Sequence, residues 1–203
     1  FSGKWNSTNT GLDIDVTVPE DSAVIYFNYF QGNSVVFDGL NDRVVVSGNS
    51  VYKFSNQFTV EAWIKPSSTG SDNYRGIISF GKDGSSQYGY GFAYYATGWR
   101  FFMKTQSNSV SQWTSLPYAS APAGQWTHLA ATYDGSKLSL YKNGALAEEK
   151  NISGSIVWAD NSGDLHIGSF NKGETDYYFS GNIDEVRLWN TSRSGSQIKG
   201  NKG

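Results

Sequence analysis

Short runs of β-branched and aromatic residues, each closed by Gly, Asn, Asp or Ser, repeat along almost the whole chain and leave little room for anything but β-strands. In LDIDVTV, Ile14, Val16 and Val18 alternate with polar neighbours before PEDS closes the run. AVIYFNYF, SVVFDG, DRVVVSG, FTVEAWIKP, RGIISFGK, YGYGFAYY, WRFFMKT and SVSQWTSLP continue the series, and NISGSIVWAD, DLHIGSF and GNIDEVRLWN end it. About a dozen strands are enough for two packed antiparallel sheets and too many for a small barrel. No sustained helical period interrupts them; the best helical candidate, SRSGSQIKG, is short and holds two glycines. Aromatics at 16% and 23 glycines fit this reading, because aromatic rings suit pleated positions and glycine suits turns.

A chain of 203 residues buries roughly 70% of the surface its unfolded form exposes, so 1–203 reads as one domain. Residues 1–33 match the series least well and read as edge strands or as the remnant of a preceding module. Phe1 opens no signal-peptide pattern, and no apolar run approaches the roughly 18 residues of a membrane span, so the chain reads as a mature protein or an excised module. Sixteen basic against 18 acidic residues, net charge −2, give no footprint for nucleic acid or an anionic membrane. The lack of cysteine excludes disulfides, thiolate zinc sites and thiol catalysis.

The stretch GQWTHLAATYDGSKLSLYKNG reads as a hairpin. Alternation sets Trp126, His128, Ala130 and Thr132 on one face and Thr127, Leu129, Ala131 and Tyr133 on the other. Asp134 and Gly135 form the turn, and Asn143-Gly144 is a second hairpin signal. His128 has no nucleophile or acid beside it in sequence and reads as a structural residue with a satisfied hydrogen bond.

FDGLNDRVVV, FTVEAWIKP, GQWTHLAATYDGSKLSLYKNG, LHIGSF and FSGNIDEVRLWN, in this order and spacing, resemble the laminin G-like, concanavalin A-type jelly-roll superfamily. The resemblance runs from about Val35 to Asn190 and implies an all-β, two-sheet antiparallel jelly-roll β-sandwich. It implies a lectin-like, adhesion or glycan-cleaving role without choosing among them. It also implies Ca2+ held between an early strand and the last one, with Asp38 and Asp184 as ligands and Asn41 beside them. Asn182 lies next to the second segment. Read without the resemblance, Asp38 and Asn41 equally cap a turn.

Jelly-roll glucanases resembling this fold carry a Glu-x-Asp-x-(x)-Glu run on one strand, and this sequence has none. Asp13 and Asp15 share a face with no Glu following, adjacent Asp184 and Glu185 should face opposite ways, and Glu61 is the lone strand carboxylate. The chain therefore reads as non-catalytic. A binding surface has better support. Tyr88, Tyr90, Phe92 and Tyr94 share one face, and Gly89, Gly91 and Ala93 leave room on the other beside Tyr95. Arg100, Phe102 and Lys104 oppose Trp99, Phe101 and Met103. The expected glycan contacts are Tyr95, Trp99, Arg100, Gln112 and Trp113, with aromatic rings stacking on sugars and polar groups bonding hydroxyls. Trp63, Trp126 and Trp189 are assigned to the core, and Trp158 stays a candidate contact. Trp5 is unplaced, and sequons occur at Asn6, Asn151 and Asn190. The expectation is a secreted or cell-surface carbohydrate-binding module with a structural Ca2+; the alternative is a protein-adhesion or spacer domain whose partner is a cell-surface or matrix protein, and a further alternative, behind that one, is a polysaccharide-cleaving enzyme on the same fold.

Overall fold

The computed structural model describes residues 12–13, 34–46, 50–67, 75–82, 88–95, 98–107, 110–119, 121–159, 163–172 and 175–200; at several strand positions, including Tyr95, Gln112 and Trp113, it describes the backbone alone. In chain order the strands are β1 (Leu12–Asp13), β2 (Val35–Asp38), β3 (Val44–Val46), β4 (Phe58–Pro66), β5 (Arg75–Lys82), β6 (Tyr88–Tyr95), β7 (Gly98–Ser107) and β8 (Val110–Ala119). They continue with β9 (Thr127–Tyr133), β10 (Lys137–Lys142), β11 (Ala145–Asn151), β12 (Ser155–Ile156), β13 (Leu165–Ile167), β14 (Ser169–Lys172), β15 (Thr175–Tyr178) and β16 (Ser180–Trp189). A short helix, α1 (Gly195–Gly200), follows the last strand.

The strands build two large sheets. One has six strands in the order β11-β10-β9-β4-β16-β2; the other has eight, in the order β1-β3-β13-β5-β6-β7-β12 with β8 on β7. Pairing is antiparallel except for the short β1, which runs parallel to β3. This is the expected two-sheet sandwich.

Alternation decides which side chains fill it. In β4, Phe58, Val60, Ala62 and Ile64 are fully buried and point at the second sheet. The ladder matches Phe58 to Tyr133 and Ala62 to Leu129, so apolar residues meet row by row. From the facing sheet, Tyr90, Phe92, Phe101 and Met103 close the core. Phe58 is its hub, with ring centroids of Phe54, Tyr90, Phe101 and Tyr133 between 5.3 and 5.8 Å away.

The predicted turns form as their chemistry requires. Asp134 Oδ1 accepts the N–H groups of Ser136 (2.8 Å) and Lys137 (2.7 Å), and Gly135 takes φ 93°. Asn143 and Gly144 have φ of 49° and 76°, the conformation of a two-residue primed hairpin turn. Helix α1 stands where the one helical candidate lay. Ser194 caps it reciprocally: its Oγ accepts Gln197 N–H (3.3 Å), and Gln197 Oε1 accepts Ser194 N–H (2.9 Å).

Each sheet also carries a cover on part of its outer face. The C-terminal segment crosses the six-stranded sheet, where Thr59 Oγ1 donates to the Thr191 carbonyl (2.8 Å) and accepts Arg193 N–H (2.9 Å). Ile198 of α1 is fully buried. The β14–β15 hairpin lies over β5, with Ser79 Oγ donating to the Ser169 carbonyl (3.0 Å).

Candidate functional site

The outer face of the six-stranded sheet collects the charged residues of three neighbouring strands. Its central rows pair Glu61 with Ala130 and Arg187, and Trp63 with His128 and Asp184. Glu61 is completely buried. Its Oε1 accepts Trp189 Nε1–H at 2.9 Å and lies 3.9 Å from the Arg187 guanidinium, while Oε2 is 3.4 Å from His128 Nε2. Burial pushes the Glu61 carboxyl up, but His128, the Trp189 N–H and the Arg187 charge outweigh burial and hold it below its ordinary value. Arg187 also pairs with Glu185, and the Arg193 guanidinium sits 4.0 Å above the Trp189 ring.

Two expectations change here. Asp184 and Glu185 do not simply face opposite ways, because the ladder slips between Asp184 and Arg187 and Glu185 adopts φ 50°. The resulting bulge brings the Glu185 carboxylate to the same Arg187 that faces Glu61. His128 is buried as a structural residue would be, yet neither ring nitrogen makes a hydrogen bond among the described residues. Its contacts are the Glu61 carboxylate and the Trp63 ring, 5.3 Å between centroids.

The tryptophans expected in the core lie on this outer face. Trp63 and Trp189 are half-buried, and Trp126 is 41% exposed. The sequence held a signal for this: Trp63 shares its alternation with Glu61 and Lys65, Trp126 with His128, and Trp189 with Arg187, so each belongs to the polar set. Trp158, a candidate contact, packs against the core at Phe80 (5.0 Å) and donates its N–H to the Phe54 carbonyl (3.0 Å).

On the eight-stranded sheet, Trp99, Phe101 and Met103 point into the core and Arg100, Phe102 and Lys104 point away from it. Trp99 is 2% exposed, against Phe179 at 5.6 Å, so its ring is core and not a stacking surface. Arg100 is half-buried on the outer face. The ladder sets Pro117 opposite Arg100, Trp113 opposite Lys104 and Gln112 opposite Thr105; the side chains of Tyr95, Gln112 and Trp113 lie outside the described residues. The room beside the small-residue stripe is taken by the chain itself. A Cβ on Gly91 would meet the Phe102 ring at 2.7 Å, and Phe102 packs at a tilt against Phe170 of β14, 4.6 Å between centroids. Next to this cover, Arg43 pairs with Asp176 at 2.8 Å. Burial, with the Arg43 charge, pushes the nearby His166 imidazole below its ordinary range against Asp176 and Asp164.

The expected metal ligands do not converge. Register matches Asp38 to Ser180 and Val35 to Ile183, which places Asp184 beyond the far end of β2, roughly 13 Å from Asp38 at a strand rise of about 3.3 Å. Ligands of one Ca2+ lie about 2.3–2.6 Å from it, so these two carboxylates cannot share an ion. Asp38 instead closes its turn, with Oδ1 accepting Leu40 N–H (2.7 Å) and Asn41 N–H (3.4 Å). The Leu40 bond does most to lower its carboxyl. Burial raises the Asp184 carboxyl, which accepts Glu185 N–H at 2.8 Å. Among the described residues, no three His, Cys, Asp or Glu side chains gather to hold a metal.

A family model described as the concanavalin A-like lectin/glucanases superfamily matches residues 37–199. The chain belongs to this superfamily. Its laminin G-like, jelly-roll sandwich is similar to a Ruminococcus gnavus IT-sialidase CBM40 bound to α2,3 sialyllactose, with TM-score 0.63 and 15% identity over 86% of this chain and 98% of the other. Domain 4 of AbnA, a GH43 extracellular arabinanase from Geobacillus stearothermophilus, in complex with arabinotriose, gives 0.56 and 22% over 72% of this chain and 66% of the other. The botulinum neurotoxin serotype G binding domain gives 0.60 and 17% over 91% and 45%. These likenesses concern the fold, and the neighbours are mainly binding modules. Pappalysin-1 of Mus musculus and of Homo sapiens are 27% and 26% identical over 100 residues, 49% of this chain, which spans 6% of the length of either. Among the described residues, no helix is long and apolar enough to cross a membrane.

Proposed function

We propose that this laminin G-like domain, 1–203, is an extracellular, non-catalytic carbohydrate-binding module. The observation that carries the reading is that fold neighbours covering most of this chain are binding modules, two of them in complex with the oligosaccharides sialyllactose and arabinotriose. The state of the carboxylates agrees with it. A glycosidase needs an acid and a partner carboxylate about 5–9.5 Å apart at an accessible bond. Glu61 is fully enclosed and engaged by Trp189 and His128, and Glu185 is tied to Arg187.

The outer face of the eight-stranded sheet is the first place to look. Arg100 and Lys104 stand on that face with Phe102 between them, and Trp113 is opposite Lys104 in the ladder. Two cations on one face suit an acidic glycan. Arg100 is the proposed charge contact, with Tyr95 and Trp113 supplying rings; the ladder sets Gln112 opposite the buried Thr105, a core-facing position, so Gln112 drops out of the proposed contacts. Asp38 and Asn41 are left as turn residues, and any calcium dependence falls to ligands other than the Asp38–Asp184 pair. A glycan array of the purified chain, with millimolar Ca2+ and with chelator, tests the reading. Binding of a glycan class is the expected result; blank arrays in both conditions refute it and leave protein adhesion as the function.

A further inference from the structure

The chain's own C-terminal segment covers the outer face of the six-stranded sheet around Thr59 and Trp189, while toward the other end of that face Trp126 and Val36 stay exposed. The covered part holds Thr59, hydrogen-bonded to Thr191 and Arg193, and Trp189 beneath Arg193. Toward the opposite end the cross-strand rows read His128–Trp63–Asp184 and, one step on, Lys65–Asn182–Val36. Extending the β4–β9 register by one residue beyond Ile64–Thr127 adds Trp126 beside Lys65, and Gly124 N–H, bonded to the Pro66 carbonyl at 2.8 Å, keeps the two chains together there.

These residues differ in role. Trp63 is half-buried and fixed on His128 at 5.3 Å, and so forms a rigid floor. Trp126 stands diagonally across from it, about 7–8 Å in Cα separation for such cross-strand neighbours, within reach of a shared aromatic surface. It leaves 41% of its surface to solvent, and Val36 at the far side of the row leaves 68%. Asn182, Lys65 and Asp184, all half-buried, border the rings with an amide, an ammonium and a carboxylate. Asn182 is held by a bond from its Nδ2 to Ser34 Oγ at 2.9 Å. Its carbonyl oxygen keeps acceptor capacity.

We propose that this row is a second saccharide site, taking a neutral sugar ring against Trp126 and Trp63. The chemistry selects that occupant. Indole faces match the C–H face of a sugar, and the amide, ammonium and carboxylate match its hydroxyls. Lys65 and Asp184 offset each other in charge, so the row offers no net attraction to an anionic glycan, unlike the Arg100–Lys104 face. A protein partner would be expected to find a larger apolar centre than two indoles, one of them half-buried, and one valine. The site rests on the reading of the chain as a carbohydrate-binding module and gives it two faces of different charge preference.

The test is titration calorimetry of the whole chain with a neutral probe, arabinotriose together with a panel of neutral oligosaccharides, and an acidic one, α2,3-sialyllactose. Trp126→Ala should weaken neutral binding roughly tenfold or more and leave the acidic probe untouched, while Arg100→Ala should do the reverse. Asn182→Ala should weaken neutral binding several-fold, and Trp126→Phe should restore part of it. Circular dichroism and the urea midpoint of each variant confirm that it is folded; if Trp126→Ala does not fold, Asn182→Ala and Trp126→Phe carry the test. Neutral binding that survives Trp126→Ala, or acidic binding with no neutral binding at all, overturns this site and leaves the module reading in place. Silence toward every probe overturns both.

Discussion

Glu61 offers the sharpest perturbation. Removing a member of a buried ion pair commonly costs about 3–5 kcal/mol, because the partner charge is left enclosed and uncompensated. In this domain Glu61→Ala would strand the Trp189 N–H and the edge of His128, both turned toward a side chain that is completely buried. Arg187 would keep Glu185, which places the loss near the lower end, about 3 kcal/mol. For a domain of this size each kcal/mol moves the melting midpoint by about 2–4 °C, so a drop of about 6–12 °C is expected. Urea unfolding should show a lower midpoint with an unchanged slope. Glu61→Gln separates charge from packing, since it keeps an acceptor for Trp189. The sign follows from the lowered carboxyl: in the unfolded chain Glu61 takes its proton at about its ordinary 4.5, in the folded chain only at lower pH. Its charge therefore contributes stability in full above the unfolded value and loses it as pH falls through the folded one. The wild type should lose stability more steeply than Glu61→Gln below about pH 4.5. A loss under about 0.5 kcal/mol for Glu61→Ala, the range of ordinary surface changes, or equal acid slopes for wild type and Glu61→Gln, would refute the picture of a buried, charged hub.

Three further outcomes follow from the geometry. Burial disfavours the His166 imidazolium, so the unfolded chain protonates first as pH falls below the ordinary 6.5; the wild-type urea midpoint should decline from there, and His166→Gln should flatten that decline between pH 7 and 5. Phe58→Ala removes the ring at the centre of four aromatic contacts and should cost about 3–5 kcal/mol by urea denaturation. At Gly89, where φ is 82° and an added Cβ would sit 1.9 Å from the Phe80 carbonyl oxygen, Gly89→Ala should cost at least about 2 kcal/mol in the same assay.

Strand alternation made the sandwich legible, and turn chemistry made its corners legible: Asp134-Gly135 and Asn143-Gly144 stand where composition placed them, while the short helix forms in a stretch that read only as a weak candidate. The same alternation split WRFFMKT into its two faces, and through charged strand-mates it also marked the outer face of the other sheet. Trp63, Trp126 and Trp189 read as core because they sit inside the blocks that carry the family resemblance, although their strand-mates Glu61, Lys65, His128 and Arg187 mark the polar face. What alternation cannot carry is cover from far along the chain. The C-terminal segment encloses Glu61, more than a hundred residues earlier, by way of Trp189, and Phe170 closes over Phe102. The bulge at Glu185 likewise depends on a positive φ that no glycine announces. The paired metal ligands failed for a simpler reason: Asp38 and Asp184 lie on adjacent strands, but register sets them at opposite ends.

Strand β11 bears on how such a module can be used. It is an outermost strand of its sheet, and six of its seven residues are exposed, among them Glu149 and Lys150. Its pairing with β10 is broken at Leu140/Tyr141, and Lys137 reaches across to Glu149 at 3.4 Å. An identical strand arriving from a neighbouring molecule would have to enclose these charges and match an uneven row of amides, which discourages edge-to-edge joining. If the proposed carbohydrate binding holds, copies of the domain would crowd at high density on one polysaccharide surface, gaining avidity from their number without joining edge to edge.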